Sequence, residues 1–531
     1  MKVTRNLAMA FALIANCGGA FAAPTSHPAY LETPAGQKPR LVITTDPELD
    51  DSNSLVRYLL YSADFRTEGL IYASSQFHWT GNGSRTAVPD GRDYRRLGRP
   101  LCPCLSWRWA PDERFIDEAV AAYAKAYTNL VKHQRGYPTP EALRARIYWG
   151  NVEFDGGMDR DTPGSNRIRD LLLDDEESPI YLHAWGGGST IARALKSIEE
   201  RYANTPDWHR IRAKVIRKAV IHPSGDQDDT FANYVRPHWP EIRYRMNKGG
   251  IDLSYLAPLM SSPADAALFS ASWTQRYVSS QGALGAFYRV WGDGRQMVRG
   301  DIFDYFGISG KTNEQLRSEG YNVWLPVQPA GAFIGEGDTP TFLNLIDNGL
   351  RGYRGDSYGG WGGYADPTAE ITSMRGPARP APATGTMPQF PRAPTHPFLA
   401  AAQRDFAARL AWATTQSYRS ANHPPRLALA TPRALHAAPG ARVALTARSG
   451  DPDGDRVALR WWHWREAGSY PGALPLQATG HGRATFVVPA DAKAGQTLHL
   501  IAEAVDAGTP ALTRYERVVV RVTGTPSEKE S

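Results

Sequence analysis

Three cysteines in 531 residues, Cys17, Cys102 and Cys104, are too few for a disulfide framework. The last two flank a single proline, a spacing that makes a strained bridge at best, and no further thiols remain to complete a thiolate metal cage. The fold must therefore stand on its core. Long apolar runs are also scarce: after the first two dozen residues no segment has the length and hydropathy of a spanning helix, so membrane insertion is not expected. A dominant charge is missing as well. The formal net charge is +6 and the basic residues are scattered rather than gathered in a stripe, which argues against nucleic acid as a partner.

What remains is the composition of a globular protein, 21% charged and 42% apolar, in a chain long enough for at least two domains. Lys2 and Arg5 precede an apolar stretch from Leu7 to Ile14 and small residues ending in Ala20-Phe21-Ala22. That order reads as a secretory signal over residues 1–23 and predicts a secreted or periplasmic mature protein. A lipoprotein reading through Cys17 is weaker, because the polar Asn16 precedes it.

Strand, turn and helix alternate along the first part of the mature chain. Arg40 to Thr45 reads as a strand, Ser52 to Ser62 as a helix and Glu68 to Ser75 as a second strand, which is a βαβ unit and hence a parallel sheet. The pattern recurs: a strand from Ile180 to Trp185, the turn "GGGST" and a helix opening near Ser189, then "AKVIRKAVI" as a strand ending at Ile221. "WLPVQPAGAFIGEGDTPTFLNLIDNGL" reads as a strand, a polar turn and a helix with Pro340 in its first turn. Pro111 to Gln134 forms an amphipathic helix. After the proline-dense Met374 to Pro397 comes a helix, and from Arg426 onward short alternating strands broken by Gly, Pro and Asp turns. The fold class is therefore α/β, a mostly parallel sheet with flanking helices over 24–400. A linker helix (401–425), an all-β immunoglobulin-like sandwich (426–524) and a disordered tail (525–531) follow.

The chemistry concentrates where strands end. In "LVITTDPELDD" the acids Asp46, Asp50 and Asp51 crowd one strand-to-helix turn. Asp50 and Asp51 would suit a helix N-terminus, but Asp46, before Pro47, is not needed there for capping. Carboxylates this close raise one another's pKa unless a cation sits among them, and a hard divalent ion seeking six to eight oxygens points to Ca²⁺. Further ligands must come from other turns on the same rim. Asp338 in "GEGDTPTF" is one candidate, although it would also serve as an N-cap, and the "GGGST" turn is another. "SGDQDDTFANY", with Asp226, Asp228 and Asp229, reads as a substrate contact or a solvated loop.

These residues resemble a known family. "TTDPELDD" is similar to the D-x-D-P-G-x-D-D signature of nucleoside hydrolases. The chain more closely resembles a secreted bacterial family of cellulose-binding proteins with a nucleoside-hydrolase-like domain and a C-terminal sandwich. "RYLLYSADFRTEGLIYASSQFHW", "YLHAWGGGSTIARALKSIEE", "DQDDT", "GEGDTPTFLNLI", "WGGY" and "DPDGDRVALRWWHWREAGSYPG" carry that likeness. The resemblance implies an exported Ca²⁺-dependent glycosyl hydrolase that cleaves N-glycosyl or related bonds. The alternative is a non-catalytic carbohydrate-binding protein with a degenerate site. It assigns Asp46, Asp51 and Asp338 as side-chain calcium ligands and Ser189 as the donor of a backbone carbonyl. Asp46 would also take the proton of the attacking water. Asp50, His78, Trp79, Asp228, Asp229, Asn233 and Glu336 would bind substrate. The implied partner is a saccharide or nucleoside-like small molecule, with plant polysaccharide among the candidates.

Some positions depart from the nucleoside hydrolase pattern. Thr44 stands for the first aspartate, Glu48 for the glycine after proline, and Gly337 for the histidine often found before the late aspartate. His78 and Trp79 fall where the family has an asparagine, so His78 is either a replacement acid or a packed residue. In the sandwich, "DPDGD" (Asp451 to Asp455) reads as a hairpin connector or a structural calcium loop. Trp461, Trp462, Trp464 and Tyr470 would form a sugar platform or pack on the first domain. The adjacent Trp461 and Trp462 must face opposite sides, and packing is the favoured reading for the outward one.

Overall fold

The structure, a computed structural model, describes residues 30–83, 95–96, 99–100, 105–354, 358–366, 370–374 and 390–524. Residues 1–23, where a secretory signal is expected, Cys102, Cys104, residues 525–531 and most of the proline-dense stretch lie outside the described residues. No helix among those described is long and apolar enough to cross a membrane.

The first domain is built on parallel strands. β1 (Arg40–Thr45) is wholly buried and pairs with β2 (Arg66–Tyr72) on one side and β4 (Ile180–Ala184) on the other. β3 (Ile147–Trp149) extends the sheet beyond β2, while β5 (Ala219–Pro223) and β6 (Arg243–Tyr244) extend it beyond β4. The order is thus β3-β2-β1-β4-β5-β6. Alternating side chains load the two faces: Val42, Ile71, Leu182 and Ile221 pack under α3 (Pro163–Leu173), α4 (Ser189–Tyr202) and α5 (Trp208–Lys218). On the other face Leu41, Ile43, Leu70 and Tyr72 meet α1 (Leu49–Tyr61), α2 (Phe115–His133) and α6 (Leu399–Thr414). The chain runs outward from β1 through β2 and β3, then returns to β4 and runs outward the other way. The reversal puts the topological switch point at the C-terminal ends of β1 and β4, the place where open α/β sheets bind ligands.

Several elements differ from expectation for identifiable reasons. α1 begins at Leu49, so Asp50 and Asp51 lie inside its first turn, where their charge complements the helix dipole. α2 starts at Phe115 because Asp112 takes a left-handed φ of 60° that no helix interior tolerates. "AKVIRK" belongs to α5, whose Ile211, Val215 and Ile216 form one buried face, and the strand proper is only Ala219–Pro223. Trp324 to Glu336 carries no named strand, and Thr339–Thr341 and Leu343–Leu345 are single 3₁₀ turns instead of a helix. Pro326 and Pro329 remove backbone donors from that segment, whose β pairing is a single bridge between Phe333 and Val290.

The second domain comprises two four-stranded sheets. One runs β7 (Arg426–Leu429), β9 (Arg442–Gly450), β12 (Arg483–Val487), β11 (Gln477–Gly480); the other runs β8 (Ala434–Ala437), β14 (Thr513–Val522), β13 (Thr497–Asp506), β10 (Val457–His463). Pairing is antiparallel except between β8 and β14. Trp461 packs on the sandwich core and donates to Gly482 O at 2.9 Å. Trp462 and Trp464 turn the other way, onto Phe398 of the first domain, with ring centroids 5.9 and 5.0 Å away. Tyr470 is buried, its hydroxyl on Asp491 at 2.9 Å. These aromatics are packing residues. The seam is closed by Arg517, buried and donating to the carbonyls of Tyr358 and Gly359, and by Tyr515 N–H on Asn348 O at 2.9 Å. In the "DPDGD" turn Asp451 Oδ1 accepts from Asp453 N–H at 2.8 Å and Asp455 N–H at 3.1 Å, as a connector requires.

Candidate functional site

β1 ends at Thr45, and Asp46 follows it, fully buried. Its Oδ1 accepts the Glu48 N–H at 3.0 Å and lies 3.2 Å from His78 Nδ1, whereas its Oδ2 is buried without a hydrogen-bond partner. Asp51 reaches back from α1: its Oδ1 accepts the Thr45 hydroxyl at 2.5 Å and the Asp46 N–H at 3.2 Å. Asp50 accepts the Tyr255 hydroxyl at 2.9 Å and the Gly337 N–H at 3.1 Å. Ligand atoms of Asp46, Glu48 and His78 all lie within 4.8 Å of one another, as do those of Glu48, Asp50 and Asp51.

Asp338 arrives from the irregular segment because one face of α1 stitches that segment down. Asp50, Asn53 and Arg57 recur at helical spacing. Asn53 Nδ2 donates to Gly335 O at 3.0 Å, Arg57 forks onto Glu336 at 2.5 and 2.9 Å, and Asp50 holds Gly337. Asp338 follows directly, buried, with Oδ2 unpartnered like Asp46 Oδ2. Gly186, after β4, completes the wall: a Cβ there would sit 2.9 Å from Asp46 Oδ2, so only glycine lets the backbone approach this closely.

The electrostatics are those of anions forced together. Burial first, and then the charges of Asp50 and Asp46, push the Glu48 carboxyl well above its usual range, with Arg108 partly opposing. Burial and then Asp338, Asp46 and Asp50 do the same to Asp51; burial and then chiefly Asp50 do so to Asp338. Asp50 is raised to about 6, mainly by burial and against the pull of its Tyr255 hydrogen bond. His78 is lowered by burial despite Asp46 beside it. Such an arrangement stores repulsion that protonation or a cation relieves.

Of the residues expected at the site, Asp46, Asp50, Asp51, His78 and Asp338 converge. The structure places the others as follows. Asp228 Oδ2 accepts from Ser189 N–H at 2.9 Å and Gly156 N–H at 3.3 Å, and Oδ1 from Thr230 N–H at 3.2 Å, so it caps α4 where Gly188 cannot. Ser189 is the first residue of α4, its hydroxyl accepting from Asn151 at 2.8 Å. Asp229 adopts a left-handed φ of 57°, and Asn233 is exposed on the π-turn Phe231–Val235. Trp79 is buried 5.3 Å from Phe154. Glu336 is fully buried and saturated, holding Arg57, the Tyr288 hydroxyl at 2.6 Å and the Thr339 hydroxyl at 3.0 Å. Two residues before Asp338, it ties that segment to α1.

Sequence reasoning missed Glu48, which it read only as a departure from a pattern, although an acid between Asp46 and Asp50 was visible. It also missed Tyr255 and Arg108. Arg108 is anchored to Asp301 at 2.8 Å with a left-handed φ of 49°, and its field reaches Glu48 and His78. Neither lies near the signature in sequence, so no spacing could have found them.

Residues 442–522 match "Cellulose-binding protein Sde0182, C-terminal domain". A solved structure from Saccharophagus degradans, described as a nucleoside hydrolase-related hypothetical protein associated with carbohydrate metabolism, is 26% identical. It covers 92% of this chain and 100% of its own, with a TM-score of 0.65. An endo-fucoidan hydrolase (15% identity, 19% of this chain and 14% of its own) and the titin M3 domain (14%, 18% and 97%) match with TM-scores of 0.14, too low to carry an argument. No curated protein matches. Residues 40–364 match "Cellulose-binding Sde182, nucleoside hydrolase-like domain", more than half the chain, and the protein belongs to that family.

Proposed function

We propose that this protein is an exported, calcium-dependent glycosyl hydrolase whose active site is the acid cluster at the end of β1. The observation that carries the reading is the pair of buried, unpartnered oxygens, Asp46 Oδ2 and Asp338 Oδ2, among carboxylates that raise one another's pKa. Such a set is costly as it stands, and an oxygen-seeking divalent cation suits it. Asp46, Asp51 and Asp338 would hold the ion, with Glu48 as a further oxygen donor. When bound, calcium would supply charge compensation and Lewis-acid polarisation of a water and of vicinal sugar hydroxyls.

The protein's own groups account for the rest. Asp46 would receive the proton of the attacking water, since the Glu48 N–H holds its other oxygen and His78 Nδ1 stands 3.2 Å from that oxygen. Asp50, held by Tyr255 and Gly337, would accept a hydrogen bond from a sugar hydroxyl and stabilise the developing positive charge of an oxocarbenium-like state. His78 Nε2, buried and without a partner, is the available group for the departing side of the substrate.

Turnover by the wild type of some member of a nucleoside and glycoside library in millimolar calcium, lost on chelation and in Asp46→Asn, is the expected result. Retained turnover in Asp46→Asn sinks the proposal. The family's cellulose-binding description favours one other reading, a site that holds saccharide without cleaving it. In that case Asp46→Asn would keep polysaccharide pull-down and the wild type would release neither base nor reducing sugar.

A further inference from the structure

Three segments meet at one end of the sandwich, where β10 starts and β13 ends. Asp506 closes β13 opposite Val457, the "DPDGD" turn leads into β10, and residues 415–425, which join α6 to β7, pass beside them. Each brings one polar side chain that commits only part of itself to the fold. Asp506 Oδ1 accepts from the N–H groups of Gly508 at 2.9 Å and Leu512 at 3.0 Å, and from Asn422 Nδ2 at 3.1 Å. Asn422 Nδ2 donates also to Pro510 O at 2.8 Å, and these two acceptors fix which amide atom is the nitrogen. Asp451 uses only Oδ1, for the two N–H groups of its own turn.

The second atoms are left over. Asp506 Oδ2, Asp451 Oδ2 and Asn422 Oδ1 are all shut off from solvent without a hydrogen-bond partner. Asp506 is 4% exposed, and burial raises its carboxyl pKa, with the charge of Asp451 adding to the rise. A connector turn thus explains one oxygen of Asp451 and leaves the other, like that of Asp506, a costly buried acceptor. Room has been made for the amide as well: a Cβ at Gly508 would overlap the Asn422 side chain. Asp453 stands outside the set, because His423 holds both its oxygens, with its N–H at 2.7 Å and its Nδ1 at 3.1 Å.

A water could donate to these atoms but could not offset two carboxylates whose fields reach each other, and a cation does both. All three free atoms are oxygens, the donor set of a hard divalent ion rather than of zinc or copper. Magnesium gives up its water reluctantly, so buried oxygens favour calcium. We propose that this junction is a calcium site, separate from the acid cluster of the first domain, with Asp451, Asp506 and Asn422 as its side-chain ligands. Trp412 Nε1 of α6 holds Asn422 O at 2.9 Å, so the ion would tie that helix to the sandwich.

Equilibrium dialysis of the full chain against calcium, with bound metal counted by elemental analysis, tests it. Asp506→Asn should lower the count by one equivalent both in the wild type and in Asp51→Ala, whereas Asp51→Ala alone should leave this equivalent in place. The site therefore fails or stands independently of the proposed hydrolase site. Calcium should also raise the melting temperature of Asp51→Ala more than that of the double variant, and magnesium in excess should not displace the ion. Should Asp506→Asn lose its circular dichroism spectrum, Asp451→Asn carries the test. A count that neither variant lowers, or displacement by magnesium, overturns the assignment.

Discussion

In calcium-free protein, Asp50→Asn should stabilise the first domain at pH 8 and destabilise it at pH 3.5. Asp50 is raised from an ordinary 3.8 to about 6. Between those values the native state keeps a proton that the unfolded chain releases, so its contribution to stability falls as pH rises through that window. A rise of that size is worth about 3 kcal/mol of destabilisation once pH exceeds 6. Asparagine removes the charge but cannot accept from both Tyr255 and Gly337, which forfeits one hydrogen bond, about 1 kcal/mol. The net gain at pH 8 is about 2 kcal/mol, a rise in Tm of about 2–3 °C for a domain of this size. At pH 3.5 Asp50 is protonated in the native state and mostly so in the unfolded chain, so the lost bond dominates and the variant should melt about 1 °C lower. Scanning calorimetry in EDTA at both pH values reads the crossover, and added calcium should shrink the gain at pH 8. A variant less stable than the wild type at every pH would refute the repulsion argument.

Other perturbations probe the remaining links. Glu336→Ala strands the fully buried Arg57 and should cost roughly 3–5 kcal/mol, read as a loss of several degrees in Tm of the first domain. Gly186→Ala puts a methyl 2.9 Å from Asp46 Oδ2 and should remove one equivalent of bound calcium, measured by elemental analysis, while the fold survives. Asp51→Ala should do the same. Trp464→Ala should destabilise the seam with Phe398 by roughly 3–5 kcal/mol yet leave polysaccharide pull-down intact below the melting point, since this ring is buried in packing.

The parts of this protein legible in the sequence are those written in local pattern. The all-apolar β1, the acids after it and the glycine turn before α4 are contiguous, so period and turn chemistry reveal them. The same holds for the alternating strands of the sandwich and for the opposed faces of Trp461 and Trp462. Where local signals compete, the reading slipped: "AKVIRKAVI" has strand residues at helical spacing, and burial of Ile211 and Val215 decided for helix. The rim position of Asp228 favoured a polar substrate contact over a solvated loop, and only the fold reveals that its oxygens accept from the Ser189 N–H that opens α4 and from the Thr230 N–H.

By itself, then, the amino-acid order determined a parallel sheet followed by a sandwich, and an acidic turn at the central strand. It could not determine which distant side chains meet that turn. Asp338 enters through Asn53 and Arg57, bonded to residues 282 and 279 positions away, and Tyr255 is 205 positions from Asp50. Such contacts leave no periodicity, because a hydrogen bond depends on three-dimensional position and not on spacing along the chain. Only the folded packing of α1 against an irregular segment enclosed the acids of that turn with Asp338 and left Asp46 Oδ2 and Asp338 Oδ2 buried without a hydrogen-bond partner.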